Sequence, residues 1–219
     1  MKEIANLTDF LLALESALFA FLLWKGGKGQ LWTFMFVSLS VASFAGGITH
    51  TFYDEAGTVE HLVWWDATLL ALGTASIFLF SMAVGVWTWH PQSEASPTFP
   101  LKGKRLAVAC AIFAVYAAYV LSGLRSFLTA IIMYLPASIF LFAAIIRQST
   151  AKEIDFKSTS ICGILGMALT FIAAGMQQAK VEIPALMLNY NALYHIVQAI
   201  GLFLLFGYGA RILSPGNKS

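Results

Sequence analysis

A bundle of seven membrane-spanning α-helices, all-α with no sheet, is the fold this sequence predicts, and three observations predict it. Only 11% of the 219 residues are charged and 59% are hydrophobic, whereas soluble domains carry roughly 25% charged residues. The charges gather between long apolar runs, each near the roughly 20 residues an α-helix needs to cross a bilayer. No run alternates strictly between apolar and polar, and backbone groups in lipid must be satisfied within their own segment, so helices are expected rather than a β-barrel. The chain reads as a single domain over residues 1–219, without internal repeats or low-complexity tracts.

The first span runs from Leu7 to Trp24. Its apolar stretch is long, Asp9 and Glu15 interrupt it, and Trp24-Lys25 stands where a signal peptidase would need small residues, so it is expected to stay as helix one. The second and third spans run from Leu31 to Thr51 and from Leu62 to Trp89, the fourth from Leu106 to Gly123, and the fifth from Phe127 to Ile146. Pro136 inside the fifth lacks the N–H that would continue the helical ladder. The last two run from Thr159 to Met176 and from Leu186 to Ile212. Cys110 and Cys162 both fall inside spans, which predicts small buried side chains rather than a disulfide framework or a zinc motif.

Basic residues set the expected orientation. The loops after spans one, three and five, with the tail, carry Lys25, Lys28, Lys102, Lys104, Arg105, Arg147, Lys152, Lys157, Arg211 and Lys218, against Lys2, Arg125 and Lys180 on the other side. Ten against three places the first set in the cytoplasm, the N-terminus outside and the C-terminus inside. The juxtamembrane lysines suit anionic lipid headgroups, and no nucleic-acid motif is present. Short loops and the absence of a targeting signal point to a bacterial inner membrane.

Alternate threading brings remote polar residues to the same depth. The outer half receives Asp9, Glu15, His50, Asp54, His61, Asp66, Gln177, Gln178, Asn191, His195 and Gln198, whereas His90, Glu94, Glu153 and Asp155 face the cytoplasm. Asn191, His195 and Gln198, at i, i+4 and i+7, share one stripe of the last helix. Helix two offers Ser43, Gly46 or Gly47, and His50, with small residues that admit a close neighbour. A polar pocket open to the outside is expected, and Glu15, a carboxylate well inside a span, should face a partner or water. Plainer readings stand beside this one. Asp54 and His61 fit a solvated loop, Asp9 fits a helix start favoured by the macrodipole, and Trp64 and Trp65 fit an interfacial aromatic belt. His50, His195 and Glu15 fit an interhelical hydrogen-bond network.

The stretch S43-F-A-G-G-I-T-H50, Asp66 early in helix three, and N191-A-L-Y-H195-I-V-Q198 resemble the layout of the CREST superfamily of seven-helix proteins, which contains alkaline ceramidases and progestin and adipoQ receptors. The resemblance implies a Zn2+ held by a helix-two histidine and two helix-seven histidines, with a serine and an aspartate nearby and an acidic residue in helix one. Carried onto this chain it implies His50, His195 and Asp66 as metal ligands, with Glu15 and Asp66 in catalysis. Asn191 stands where the first helix-seven histidine would be and Gly46 where the serine would be, so His61 or Asp66 would supply the third ligand.

Three functions follow as expectations. One is a metal-dependent hydrolase of a lipid amide or ester entering from the bilayer. Another is a non-catalytic receptor, sensor or assembly subunit binding a small ligand or partner through Asn191, Gln198 and Gln178. The third is a proton-coupled transporter, against which stands the lack of paired Gly/Pro-broken helices in repeated halves. No nucleophile elbow, P-loop or dinucleotide fingerprint is present, and no lysine lies within the last helix to form a retinal Schiff base.

Overall fold

The structure, a computed structural model, describes residues 2–27, 29–89, 104–150, 154–186 and 188–213. Among the residues singled out above, Lys28, His90, Glu94, Lys102, Lys152, Glu153 and Lys218 lie outside that set, as do the side chains of Lys2, Arg105, Asp155 and Lys157.

Seven α-helices account for nearly all of the described chain: α1 (Lys2–Lys25), α2 (Gln30–Phe52), α3 (Val59–Thr88), α4 (Lys104–Leu121), α5 (Phe127–Ser149), α6 (Ile154–Gln178) and α7 (Tyr190–Ile212). Six of them are long and apolar enough to cross a membrane; the exception is α4, whose apolar part spans only Leu106–Leu121. Local chemistry sets several boundaries. Thr58 caps α3 by accepting from the His61 N–H, Ser126 caps α5 by accepting from Leu128, and Asn189 caps α7 by accepting from Ala192 at 2.9 Å. The last helix therefore begins at Tyr190, later than the expected Leu186. Between α6 and α7 the chain forms a single 3₁₀ turn, Pro184–Leu186, closed by the Ile183–Leu188 bridge.

Six helices close into a ring. Each of α1–α2, α2–α3, α3–α5, α5–α6, α6–α7 and α7–α1 is packed, while α4 lies outside against α3. Tyr116 pins α4 there: its hydroxyl donates to Leu69 O at 2.8 Å, and its ring lies so close to Gly73 that a Cβ would stand 2.3 Å away. Contacts fix the directions. The starts of α3 and α5 meet through Trp65, Arg125 and Phe127, and their ends meet through Gln148 donating to Val86 O. These two neighbours are thus parallel, so α4 must climb back along the height of the bundle between them. Its 18 residues reach about 27 Å at roughly 1.5 Å per residue.

The ring interior is apolar through its middle and at the end where α1, α3, α5 and α7 terminate. Trp32, Phe36, Met82, Val86, Leu141, Ile145, Met167 and Tyr208 are fully buried there. Tyr208 also donates to Gln148 Oε1 at 3.2 Å, which satisfies two polar groups inside this plug. At the α6–α7 crossing backbone meets backbone: a Cβ on Gly166 would stand 2.8 Å from the Gly201 carbonyl oxygen. Free Cys162 is half-buried, but free Cys110 is exposed on the outer helix α4, contrary to the burial expected of it.

Candidate functional site

At the opposite end, where α1, α3, α5 and α7 begin and α2 and α6 finish, the ring holds a cavity of about 310 Å³. That volume lies at the lower end of ligand pockets, roughly 300–1,000 Å³. Asp9, Ser43, Gly46, His50, Asn191 and His195 line it, with Trp65, Phe127, Tyr190 and Tyr194 as aromatic wall. Its lining stops at Leu12, Ala42 and Leu72, above the apolar plug, and exposed Gln178 and Lys180 stand at its mouth.

Its floor is a chain of three groups. Thr8 Oγ1 lies 3.0 Å from His195 Nδ1, and His195 Nε2 lies 3.2 Å from Asp9 Oδ1. With its proton on Nε2 the ring would turn an N–H toward the Asp9 carboxylate and leave Nδ1 to accept from the Thr8 hydroxyl. Asp9 is 4% exposed and His195 8%. The second carboxylate oxygen of Asp9, Oδ2, is buried and has no hydrogen-bond partner among the described residues. Gly47 eases this arrangement: a Cβ there would stand 3.0 Å from Phe10 Cε1 and 3.1 Å from Asp9 Cβ, so any larger residue must push these side chains back by a few tenths of an ångström. Across the cavity Gln177 donates through Nε2 to Asn191 Oδ1 at 3.3 Å, which leaves its own Oε1 a second buried, unpartnered acceptor among the described residues.

The expected ligand set divides when placed in this geometry. His50, His195, Asn191 and Gln178 come together around the cavity. Gln198 is buried one turn deeper and lines a smaller adjoining pocket of about 50 Å³ with Thr170 and Tyr134. Asp66 does not join them. Its two oxygens are held by Arg125, through Nε at 2.7 Å and Nη2 at 3.1 Å, and that hydrogen bonding pushes the guanidinium above its already high ordinary value. Glu15 is half-buried two turns below Asp9 and is not among the cavity lining, although its Oε2 is buried and unpartnered among the described residues. His61 is no loop residue: it lies in the first turn of α3, stacked on Trp65, with Nδ1 2.7 Å from Tyr53 O.

A zinc ion is a poor fit to these residues. Zinc sites need three or four ligands converging on one point. Among the described residues no three His, Cys, Asp or Glu side chains gather in that way. His195 has Thr8 Oγ1 and Asp9 Oδ1 beside its two ring nitrogens, and Asp66 is clasped by Arg125. The Thr8–His195–Asp9 order imitates a hydroxyl–imidazole–carboxylate triad, but Thr8 is not among the lining residues, so its hydroxyl does not face the cavity.

Four contributors differ from their sequence reading or escaped it. Asp9 was expected at a helix start; α1 begins at Lys2, so Asp9 lies two turns in and faces the interior. Trp65 was expected in the interfacial belt, yet it lines the cavity, donates from Nε1 to Arg125 O at 2.6 Å, and meets His50 edge-on. Thr8 carries no distinguishing sequence signal. Lys180 carried one. It has φ +50° and closes α6 with its N–H on Gln177 O and the next N–H, from Val181, on Met176 O. That is the six-to-one and five-to-two closure whose left-handed position is ordinarily glycine. Any other residue there stores about 1 kcal/mol of backbone strain.

No curated protein and no solved structure matches the chain. A family model does, over residues 4–214, which takes in the seven helices, save the first two residues of α1, and the whole cavity. The chain belongs to that family, DUF6962, a family of unknown function.

Proposed function

We propose that this is an integral membrane protein that binds a small polar ligand in an outward-facing cavity, acting as a receptor or sensor rather than as a hydrolase. The observation that carries the reading is Asp9, a cavity-lining carboxylate whose Oδ2 is buried with no hydrogen-bond partner among the described residues while Oδ1 stands 3.2 Å from His195 Nε2. A buried charge-bearing acceptor without a donor is costly, and a ligand donor removes that cost. Gln177, which also lines the cavity, carries a second buried oxygen, Oε1, without a partner among the described residues. A primary ammonium group, with three N–H donors and a charge opposite to that of a carboxylate, answers both, and Trp65, Phe127, Tyr190 and Tyr194 supply rings against which it can rest. The apolar plug below supports binding over passage through the bundle.

The membrane reading rests on six long apolar helices and on α4, a shorter apolar helix that joins the ends of the parallel α3 and α5. With the ten-to-three basic asymmetry it gives seven crossings, the N-terminus outside and the C-terminus inside, with the inner (plasma) membrane of a bacterium as the proposed location. The cavity then opens outward. The test is thermal unfolding of detergent-purified protein with ethanolamine, phosphoethanolamine, 2-phenylethylamine and phenylalanine. At least one should raise the melting temperature of the wild type saturably and fail to do so for Asp9→Asn, because a ligand that binds only the folded state stabilises it. Stabilisation by added zinc instead of an amine would move the assignment back to a metal-dependent hydrolase.

A further inference from the structure

We infer that the ligand is a zwitterion: Lys180 at the mouth holds its anionic group while Asp9, deeper in, holds its primary ammonium. The inference rests on the binding reading above and narrows it. Lys180 lines the same cavity as Asp9. Among the described residues no carboxylate pairs with it. It also occupies the left-handed position that closes α6, where glycine would be unstrained. Strained residues kept at a cavity mouth point to a use for the side chain. A cation at the entrance repels a simple amine, so a pocket serving amines alone is better without it. A ligand with an anionic group near its ammonium turns that repulsion into attraction and meets both poles in order, since Lys180 is exposed and Asp9 is buried.

Two sources offer this chemistry, a soluble amino acid and the headgroup of a zwitterionic lipid bearing a primary amine. The test places wild type, Lys180→Met and Lys180→Gly in phosphatidylglycerol nanodiscs. Binding of phenylalanine and of 2-phenylethylamine, which differ by one carboxylate, is measured by thermal shift. A parallel set replaces half of the lipid with phosphatidylethanolamine. For a soluble ligand, both substitutions weaken phenylalanine by roughly tenfold or more, the scale of one lost charge-assisted contact. They leave 2-phenylethylamine unchanged or tighter. For a lipid ligand, phosphatidylethanolamine stabilises the wild type and not Lys180→Met. Lys180→Gly should also melt higher than the wild type in phosphatidylglycerol alone, which shows that the lost binding is not lost folding. Zwitterion and amine binding that are equally indifferent to Lys180 overturn the inference and leave the Asp9 reading standing. Failure of every probe on every protein, the amine included, overturns both.

Discussion

Replacing Gly166 by alanine strikes the contact that sets the spacing of α6 and α7, the two helices that carry Gln177, Asn191 and His195. The added methyl would stand 2.8 Å from Gly201 O, 2.9 Å from Leu205 Cγ and 3.0 Å from Leu205 N. Two of those three atoms are backbone and cannot rotate away, so the helices must part. Overpacking of this kind costs about 1–3 kcal/mol. Gly175→Ala on the same helix is the control, because nothing lies within 4 Å of the Cβ it would add. There, better helix propensity gains up to about 1 kcal/mol. Because Gly166→Ala shares that propensity gain, the two variants should differ by the overpacking cost alone, about 1–3 kcal/mol, in reversible unfolding by denaturing detergent, followed by tryptophan fluorescence and circular dichroism. Equal stability of Gly166→Ala and Gly175→Ala would refute the close crossing and, with it, the placement of Asn191 and His195 opposite Gln177.

His195→Ala removes the imidazole that stands 3.2 Å from the Asp9 carboxylate and 3.0 Å from the Thr8 hydroxyl. It should destabilise by about 1–3 kcal/mol in the same unfolding assay, and Asp9→Asn, which keeps the shape and an oxygen for Nε2, should cost less. Tyr116→Phe removes only the bond to Leu69 O that anchors α4, with a loss of about 1 kcal/mol. For orientation, Cys110 and Cys162 are first replaced by alanine. A cysteine at Glu55, in the α2–α3 loop, should then react with a membrane-impermeant maleimide on intact cells. One at Gly26, in the α1–α2 loop, should react only after lysis. The reverse pattern would invert the bundle and turn the cavity to the cytoplasm.

Helix number and most boundaries were legible in the sequence because hydropathy reports length and lipid exposure directly. The exceptions are instructive. Leu186 joins the apolar run of α7, but Asn189 is the residue whose side chain can cap a helix, and it sets the start. Nothing in composition shows that α4 stands outside the ring, because a peripheral helix and a ring helix are equally apolar to a bilayer. Around the site, the Ser43–Gly46–His50 and Asn191–His195 stripes read correctly because their periodicity puts them on one face each. The pairing of Asp66 with Arg125, 59 residues on, is invisible to any pattern within α3, because the partner comes from a different loop. Asp9 was undervalued because its role depends on Gly47 letting α1 approach, and that is a contact between helices rather than a pattern within one.

The measurement that tests the central claim most directly is calorimetric titration of wild type and Asp9→Asn with whichever of the four amine compounds stabilises the wild type most. The account predicts a saturable heat with one site per chain in the wild type and its loss in Asp9→Asn, while the two proteins keep the same helical content. Equal binding to both proteins, or saturable zinc binding with no amine response, would contradict it.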